Sequence, residues 1–263
     1  MINGKTIVLT GASSGIGLEV LKLLVQGTEN RILAVSRHAV EKLTNFAPNV
    51  TPFDADVSSP EGIESIFDKA ESMFGKFDIF YANAGYPYYE RYDYLDWDRV
   101  EAMFKTNTFA PMYTYSRYLK HLNGREGHLA STVSAIGQMA MPGYAIYSAS
   151  KFGLQGFQQA IRLEKPANMK LTCLYPVATN TNFFKVANSE TFEKPFPVQD
   201  PKVVARKMVK GIEKGKKTVS PCGLFALAKV LMGIFPFVRT IYWKLETNKL
   251  LRFQKKLDEK GGK

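Results

Sequence analysis

The segment that most constrains this chain is residues 10–17, Thr-Gly-Ala-Ser-Ser-Gly-Ile-Gly. It follows a short apolar, β-branched run at residues 6–9, which predicts a buried strand, and it precedes apolar spacing that predicts a helix. Glycine permits a tight turn and close approach of the backbone to a ligand, and a helix N-terminus presents unpaired N–H groups. The segment predicts a phosphate-binding turn, although an ordinary glycine-rich strand–helix turn would look the same.

The rest of the first 180 residues alternates short apolar runs with helical periodicity. Strands are predicted at residues 6–9, 31–35, 50–53, 79–82, 127–132 and 170–174, and helices at 15–26, 40–45, 60–74, 96–123 and 144–164. This alternation is typical of βαβ units. We predict an α/β fold, a single doubly wound Rossmann-type domain whose parallel sheet of about seven strands has helices on both faces. Pro111 is expected to kink the helix at 96–123.

Composition narrows the class of protein. The hydrophobic share of 45% in 263 residues suffices for one large core. The two cysteines and three histidines lack metal-ligand spacing, so we expect no metal site and a cytoplasmic location. The N-terminal residues enter the first strand directly, so we expect no signal peptide.

Charge is concentrated in the last quarter of the chain. Residues 201–263 contain 16 Lys or Arg and 4 Asp or Glu, a net charge of +12 within a total of +11. We therefore divide the chain into a catalytic core at 1–200, with a substrate loop from about 179, and a basic, apolar-rich extension at 201–263. Such asymmetry suggests an anionic partner. We expect no nucleic-acid binding, since no reading motif accompanies the charge.

The apolar part of that extension, residues 221–243, falls short of the roughly 20 uncharged residues of a membrane-spanning helix. Three hypotheses remain open for it: a helix lying on the inner face of a membrane, a lid over the site, or a helix that forms a dimer.

A second motif carries the chemistry. Tyr147 and Lys151 are four residues apart, so they share one face of a helix. A lysine cation there would favour the phenolate and lower the pKa of Tyr147, as a general acid or base requires. Ser134 lies just past a predicted strand, where α/β sheets bind ligands.

With these motifs in order, residues 4–185 resemble the short-chain dehydrogenase/reductase family. Residues 10–17 match its TGxxxGxG turn, residues 83–85 its NAG segment, and residues 147–151 its YxxxK pair. The family's first NNAG position is here Ala82, and Val177 replaces the glycine of its usual Pro-Gly pair. Neither departure removes a catalytic group, although Val177 suggests a different backbone path there.

The resemblance implies an oxidoreductase that uses a nicotinamide cofactor. It assigns catalysis to Asn107, Ser134, Tyr147 and Lys151, with Asn107 holding a water through backbone strain. The cofactor-binding residues implied or inferred are Gly11, Ser13, Ser14, Gly15, Ile16, Gly17, Ser36, Arg37, Asp56, Val57, Asn83, Ala84, Gly85, Tyr147, Lys151, Pro176, Thr179 and Thr181. It also implies a dimer or tetramer formed through the long helices, here 96–123 and 144–164. Because the basic extension could block one of the usual tetramer faces, we expect a homodimer.

The end of the second strand predicts which cofactor is used. An NAD enzyme is expected to have Asp or Glu at the position of Ser36, to accept hydrogen bonds from the ribose hydroxyls. Ser36 and the following Arg37 instead suit a 2′-phosphate, because arginine binds phosphate through paired donors. We predict that NADP(H) is preferred over NAD(H), the alternative being an Arg37 that is simply exposed.

The residues around the predicted site are apolar and aromatic, which favours a lipophilic ketone or secondary alcohol such as a steroid, fatty acyl or sphingoid compound. We expect about half of the following residues to line the site: Tyr86, Tyr88, Tyr89, Tyr92, Tyr94, Trp97, Met139, Met141, Pro142, Phe183 and Phe184. The alternative function is an NADP-binding sensor or adaptor that keeps the fold without physiological catalysis.

Overall fold

A seven-stranded parallel sheet forms the centre of the computed structural model, which describes residues 1–261. The strands are β1 (Thr6–Thr10), β2 (Arg31–Ser36), β3 (Val50–Asp54), β4 (Ile79–Ala82), β5 (Gly127–Thr132), β6 (Met169–Leu174) and β9 (Thr218–Val219), in the spatial order β3-β2-β1-β4-β5-β6-β9. A separate pair joins β7 (Ala178–Thr179) to β8 (Val198–Gln199). Strand order reverses between β1 and β4, and ligands of such sheets bind at that reversal.

Helices cover both faces of the sheet. They are α1 (Gly15–Leu24), α2 (Ala39–Leu43), α3 (Pro60–Phe74), α4 (Trp97–Phe104), α5 (Ala110–Leu122), α6 (Ala145–Glu164), α7 (Phe183–Ala187), α8 (Pro201–Glu213), α9 (Gly223–Ile234) and α10 (Pro236–Gly261). One buried cluster joins α3, α5 and α6 to the sheet, and a second joins α1, α2 and α8 to its other face. The two clusters arise because successive side chains of a strand point to opposite faces of the sheet. Phe80 packs in the first cluster and its neighbour Tyr81 packs in the second.

The predicted fold class is confirmed, and the six predicted strands are present with ends that shift by at most one residue. The predicted helix at 96–123 is instead α4 and α5, joined by a π-helical segment at Lys105–Phe109. The irregularity lies just before Pro111, where a kink was expected. Pro111 cannot donate to the carbonyl of Asn107, and its ring crowds that carbonyl, so the preceding turn widens.

The residues after 200 divide into two structural parts. In the region predicted to be an extension packed on or beside the same domain, residues 201–263, α8 buries Val204 and Met208 beside α1, and β9 is the edge strand of the main sheet. Both elements belong to the layers of the core. The added part consists of α9 and α10. Within residues 1–261, no helix combines the length and the hydropathy needed to cross a bilayer.

Candidate active site

A cavity of about 290 Å³ opens at the carboxyl ends of the central strands. It brings together most of the residues predicted from the sequence, which are separated along the chain but converge because parallel strands end at one edge. The predicted residues that line it are Gly11, Ser14, Gly15, Ile16, Arg37, Asn83, Ala84, Gly85, Ser134, Tyr147, Lys151, Pro176, Thr179 and Thr181.

The glycine turn between β1 and α1 has the backbone that only glycine adopts easily. Gly11 and Gly15 have φ values of +66° and +55°. A Cβ on Gly17 would lie 2.1 Å from the carbonyl oxygen of Gly11, so the third glycine lets the helix pack against the turn. No acidic residue lies in the first turn of α1, and Ser14 makes no side-chain capping bond within the described residues. The first N–H groups of α1 suit a bound anion.

Asn83 and Thr10 hold this turn against β4. The Asn83 amide donates to the carbonyl of Thr10 at 3.1 Å, and the backbone N–H groups of Asn83 and Ala84 donate to the Thr10 hydroxyl at 3.0 and 3.2 Å. The hydroxyl of Thr132 donates to the Asn83 carbonyl oxygen at 3.0 Å. These bonds tie three strand ends together, so Asn83 positions the backbone that borders the cavity.

Ser134, Tyr147 and Lys151 meet at the inner end of the cavity. All three are buried, and Tyr147 and Lys151 lie one turn apart on α6. The Lys151 ammonium donates to the carbonyl of Thr132 at 3.1 Å and lies 5.9 Å from the ring centroid of Tyr147. Ser134 adopts φ 150° and ψ 154°, a region that is almost confined to glycine, and its Oγ accepts from the N–H of Ile136.

The pKa values of this group differ from the expectation. Burial raises the pKa of Tyr147 well above its usual value, while a hydrogen bond with Ser134 lowers it. Burial also lowers the pKa of Lys151, to about 7. The lowering of the Tyr147 pKa by Lys151 is therefore not found, because desolvation of the buried phenol outweighs it. Burial instead moves the two pKa values apart, that of the phenol upward and that of the amine downward.

Asn107 lies beneath the cavity, fully buried in the π-helical segment. Its side chain accepts from the N–H of Tyr86 at 3.1 Å and donates to the carbonyl of Tyr86 at 2.9 Å. A Cβ on Gly85 would lie 2.9 Å from Asn107 Oδ1 and 3.5 Å from Lys151 Nζ, so these groups are close together. Asn107 thus holds the segment after β4 in place beside Lys151.

Two polar side chains, those of Ser36 and Arg37, stand at the end of β2. The hydroxyl of Ser36 is buried and has no hydrogen-bond partner in the described part of the chain. Arg37 borders the cavity, is exposed, and forms no salt bridge with any of residues 1–261. Asp54, which pairs with Ser36 across the strands, accepts instead from the N–H of Val40 at 2.9 Å.

The remaining predicted residues do not border the cavity. Gly17 packs against Gly11, and Asp56 accepts from the N–H of Ser58 at 2.9 Å. Val57 packs against the core. Ser13, Ser36 and Asn107 likewise lie outside the lining.

The outer walls of the cavity are apolar. Met139, Met141, Phe183 and Phe184 line it as expected, whereas Tyr86 is the one member of the aromatic cluster at 86–97 that does so among the described residues. About half of the set named from the sequence therefore borders the site. Tyr89 instead stacks on Phe192 in a buried aromatic cluster, and Tyr92 and Trp97 are exposed.

Sequence reasoning missed several wall residues. They are Thr132, Ala135, Ile136, Tyr144, Val177, Ala178, Asn182, Val186, Pro195, Phe196, Pro197, Phe225 and Tyr242. The aromatic character of 183–196 was the available signal for the loop residues, but no local pattern marks Phe225 or Tyr242 as part of the cavity.

Together, the switch-point cavity, the glycine turn and the buried Ser–Tyr–Lys group define the class: a Rossmann-type, nucleotide-binding oxidoreductase. The chain belongs to the short chain dehydrogenase family, whose model matches residues 5–191.

Individual relatives agree with this assignment. The chain is 27% identical over 245 residues to Estradiol 17-beta-dehydrogenase 11 of Rattus norvegicus, covering 89% of this chain and 81% of the relative. It is 28% identical over 255 residues to 3-dehydrosphinganine reductase of Danio rerio, covering 89% and 76%. A short chain dehydrogenase from Burkholderia cenocepacia, solved with NADP, superposes with a TM-score of 0.76 at 19% identity, covering 89% and 94%. Other solved neighbours contain NADH or NAD.

Proposed function

We propose that this protein is an NADP(H)-dependent oxidoreductase that interconverts a ketone and a secondary alcohol on a hydrophobic substrate. The observation that carries the proposal is the placement of Ser134, Tyr147 and Lys151 in one buried group at the inner end of an apolar cavity. A hydroxyl pair beside a buried amine can move a proton to or from a carbonyl oxygen, and the apolar walls exclude water.

Each residue then has a role that follows from its position. The bound nicotinamide would supply or accept the hydride. Ser134 would donate a hydrogen bond to the substrate oxygen, and Tyr147 would give that oxygen its proton during reduction and take it back during oxidation. A protonated Lys151 stabilises the phenolate that Tyr147 leaves.

Asn107 supports proton return to Lys151. Because Pro111 has no N–H, the carbonyl of Asn107 lacks its usual partner one turn along and would accept from a water instead. Such a water would connect Lys151 to solvent. The widened π-helical turn, rather than backbone strain, would then create the acceptor.

The preference for NADP(H) rests on the end of β2. A 2′-phosphate there would meet the free guanidinium of Arg37 and the unpartnered hydroxyl of Ser36. The carboxylate of Asp54, which could otherwise favour a ribose diol, is already bonded to the N-terminus of α2.

The substrate class rests on the cavity walls. Met139, Met141, Phe183 and Phe184 surround the space beside Ser134 with apolar atoms. The relatives from Rattus norvegicus and Danio rerio are named for estradiol and 3-dehydrosphinganine, which are both hydrophobic molecules. A steroid or long-chain ketone therefore suits the cavity better than a polar sugar does.

A panel of ketones tests the proposal. Steroid, 3-oxoacyl, long-chain and small aromatic ketones are assayed with NADPH, with Tyr147→Phe as the catalytic variant. We expect turnover of at least one hydrophobic ketone and a loss of about 10²–10⁴-fold in kcat for Tyr147→Phe, with NADPH binding retained. NADPH binding without turnover of any ketone would favour the sensor or adaptor function instead.

We also propose a homodimer formed through α5 and α6. Phe109, Tyr113 and Phe152 are exposed aromatic residues at or next to these helices. Burying them against a second copy would remove that apolar surface from water. A Phe109→Ser/Phe152→Ser variant is expected to sediment as a monomer, whereas an unchanged dimer would place the interface elsewhere.

A further inference from the structure

The last two helices present an apolar surface to solvent. We use the term outer face for the side chains on α9 and the first half of α10 that are each at least 41% exposed: Leu224, Leu227, Val230, Leu231, Ile234, Phe235, Phe237, Ile241 and Leu245. Among the described residues of α9, Phe225 alone is buried. Monomeric proteins rarely expose a contiguous apolar surface of this kind unless it binds something.

The sequence spacing gathers these residues on one side of each helix. Leu224, Leu227 and Leu231 recur at helical intervals on α9, and Phe237, Ile241 and Leu245 do so on α10. Phe235 and Phe237 meet at the corner between the helices with ring centroids 6.0 Å apart. The outer face is thus two stripes that join at an aromatic corner.

The opposite sides of the same helices close the active-site cavity. Phe225 of α9 and Tyr242 of α10 both line it. Tyr242 Oη donates to the carbonyl of Phe196 at 2.7 Å, and Trp243 Nε1 donates to the carbonyl of Ala140 at 2.8 Å. One thin wall therefore separates the cavity from whatever covers the outer face, and the exposed Phe196 lies at its edge.

The charge of this wall indicates what covers it. Residues 221–245 contain Lys229, Arg239 and Lys244 but no Asp or Glu. All three side chains are exposed, Lys229 bonds the neutral Gln138, and Arg239 lies over the ring of Trp243. In a two-fold contact this face would meet its own copy and bring cations together without compensating anions. An anionic lipid surface satisfies both the apolar side chains and the cations.

We infer that α9 and the start of α10 lie in the surface of an anionic membrane, and that lipophilic substrate enters the cavity from the lipid beside Phe196, Phe225 and Tyr242. The second part, entry of substrate from the lipid, rests on the proposed function, because it needs a hydrophobic substrate. The first part does not. Helices that lack the combined length and hydropathy to span a bilayer, with an apolar side and flanking cations, bind in the plane of the interface.

Vesicle flotation tests the membrane contact without any assay of activity. The full chain is mixed with phosphatidylcholine vesicles that contain either no anionic lipid or a substantial share of phosphatidylglycerol. We expect flotation with the anionic vesicles, weaker flotation with the neutral ones, and release by high salt, since each cation near such a surface adds about five-fold in affinity.

Matched double variants locate the contact. Leu224→Ser/Leu227→Ser removes two leucines of the outer face, and Leu95→Ser/Leu163→Ser removes two exposed leucines elsewhere. The first pair is expected to weaken vesicle binding by about ten-fold or more, and the second to leave it unchanged. Equal binding by both variants, or no binding by the parent protein, would overturn the inference. So would a change of the parent's oligomeric mass caused by the first pair alone, since a second copy would then cover the face.

Substrate entry is tested with the same variants. A ketone that turns over is supplied either in solution with a short chain or embedded in the vesicles with a long one. Leu224→Ser/Leu227→Ser is expected to keep the rate on the soluble ketone and lose about ten-fold on the embedded one. Equal loss on both would contradict entry from the lipid, and loss of turnover with intact flotation would count against the proposed function alone.

Discussion

A hydrogen bond joins Lys151 to the sheet, from its ammonium to the carbonyl of Thr132, the last residue of β5, at 3.1 Å. This bond fixes the amine at the strand end where Ser134 follows and holds it beside Tyr147. The amine is also almost entirely removed from water. Its position and its pKa therefore have the same structural cause.

The burial of Lys151 predicts how stability depends on pH. Its pKa is about 7 in the folded protein against 10.5 normally, so between these values the unfolded state holds a proton that the folded state has released. The free energy of unfolding of the parent protein therefore rises as pH rises from about 7 to about 10.5. Below about pH 7 the buried amine lowers it by a constant amount. Lys151→Met should therefore be stabilised relative to the parent most below pH 7, with the difference shrinking towards pH 10. Urea unfolding of both proteins across that range, with no nucleotide added, measures the difference between their free energies of unfolding. A difference that does not change with pH would contradict the argument from burial.

The backbone of Ser134 predicts an unusual order of stability. Its φ of 150° disfavours any residue with a Cβ by about 1–3 kcal/mol. Both Ser134→Ala and Ser134→Gly lose the hydroxyl and should lose most activity, but Ser134→Gly should be the more stable of the two by about 1 kcal/mol after its greater unfolded-state entropy is counted. Thermal unfolding compares them. An alanine variant more stable than the glycine variant would show that the backbone there is relaxed.

Arg37 predicts the choice of cofactor. Loss of a charge-assisted bond to phosphate is expected to raise the KM for NADPH by about ten-fold or more in Arg37→Ala and to leave the KM for NADH nearly unchanged. Arg31→Ala is the matched control, because Arg31 lies at the other end of β2, with its guanidinium over Phe74. Steady-state kinetics with NADPH and with NADH measures both KM values. If both rise equally in Arg37→Ala, Arg37 does not bind the 2′-phosphate.

Gly17 predicts a steric requirement in the turn. A methyl group there would lie 2.1 Å from the carbonyl oxygen of Gly11, so α1 would have to move away from the turn. Gly17→Ala is expected to lose about 1–3 kcal/mol of stability and to bind NADPH more weakly. Gly223→Ala, whose added Cβ meets no atom within 4 Å among the described residues, should change stability by less than about 0.5 kcal/mol. Denaturant unfolding and a binding titration on both variants provide the comparison.

The sequence predicted the sheet well because each strand is recognised locally. The apolar runs at β1, β4 and β5 are buried on both faces, so their character does not depend on knowing their partners. The order of these runs around the glycine turn was enough to predict which groups meet, since parallel strands present their carboxyl ends to one side. The prediction of one kinked helix around Asn107 was less accurate. Pro111 indicates that the helix is disturbed but does not specify the geometry of the disturbance.

The sequence by itself determined the α/β fold, the position of the glycine turn, and the family resemblance carried by Ser134, Tyr147 and Lys151. Only the tertiary structure decided the electrostatics of that group, because desolvation depends on every element packed around it. It also decided that Phe225 and Tyr242 close the cavity while their helical neighbours face outward. Helical periodicity indicates that a helix has two sides, but only the packing of distant segments determines which side covers the site.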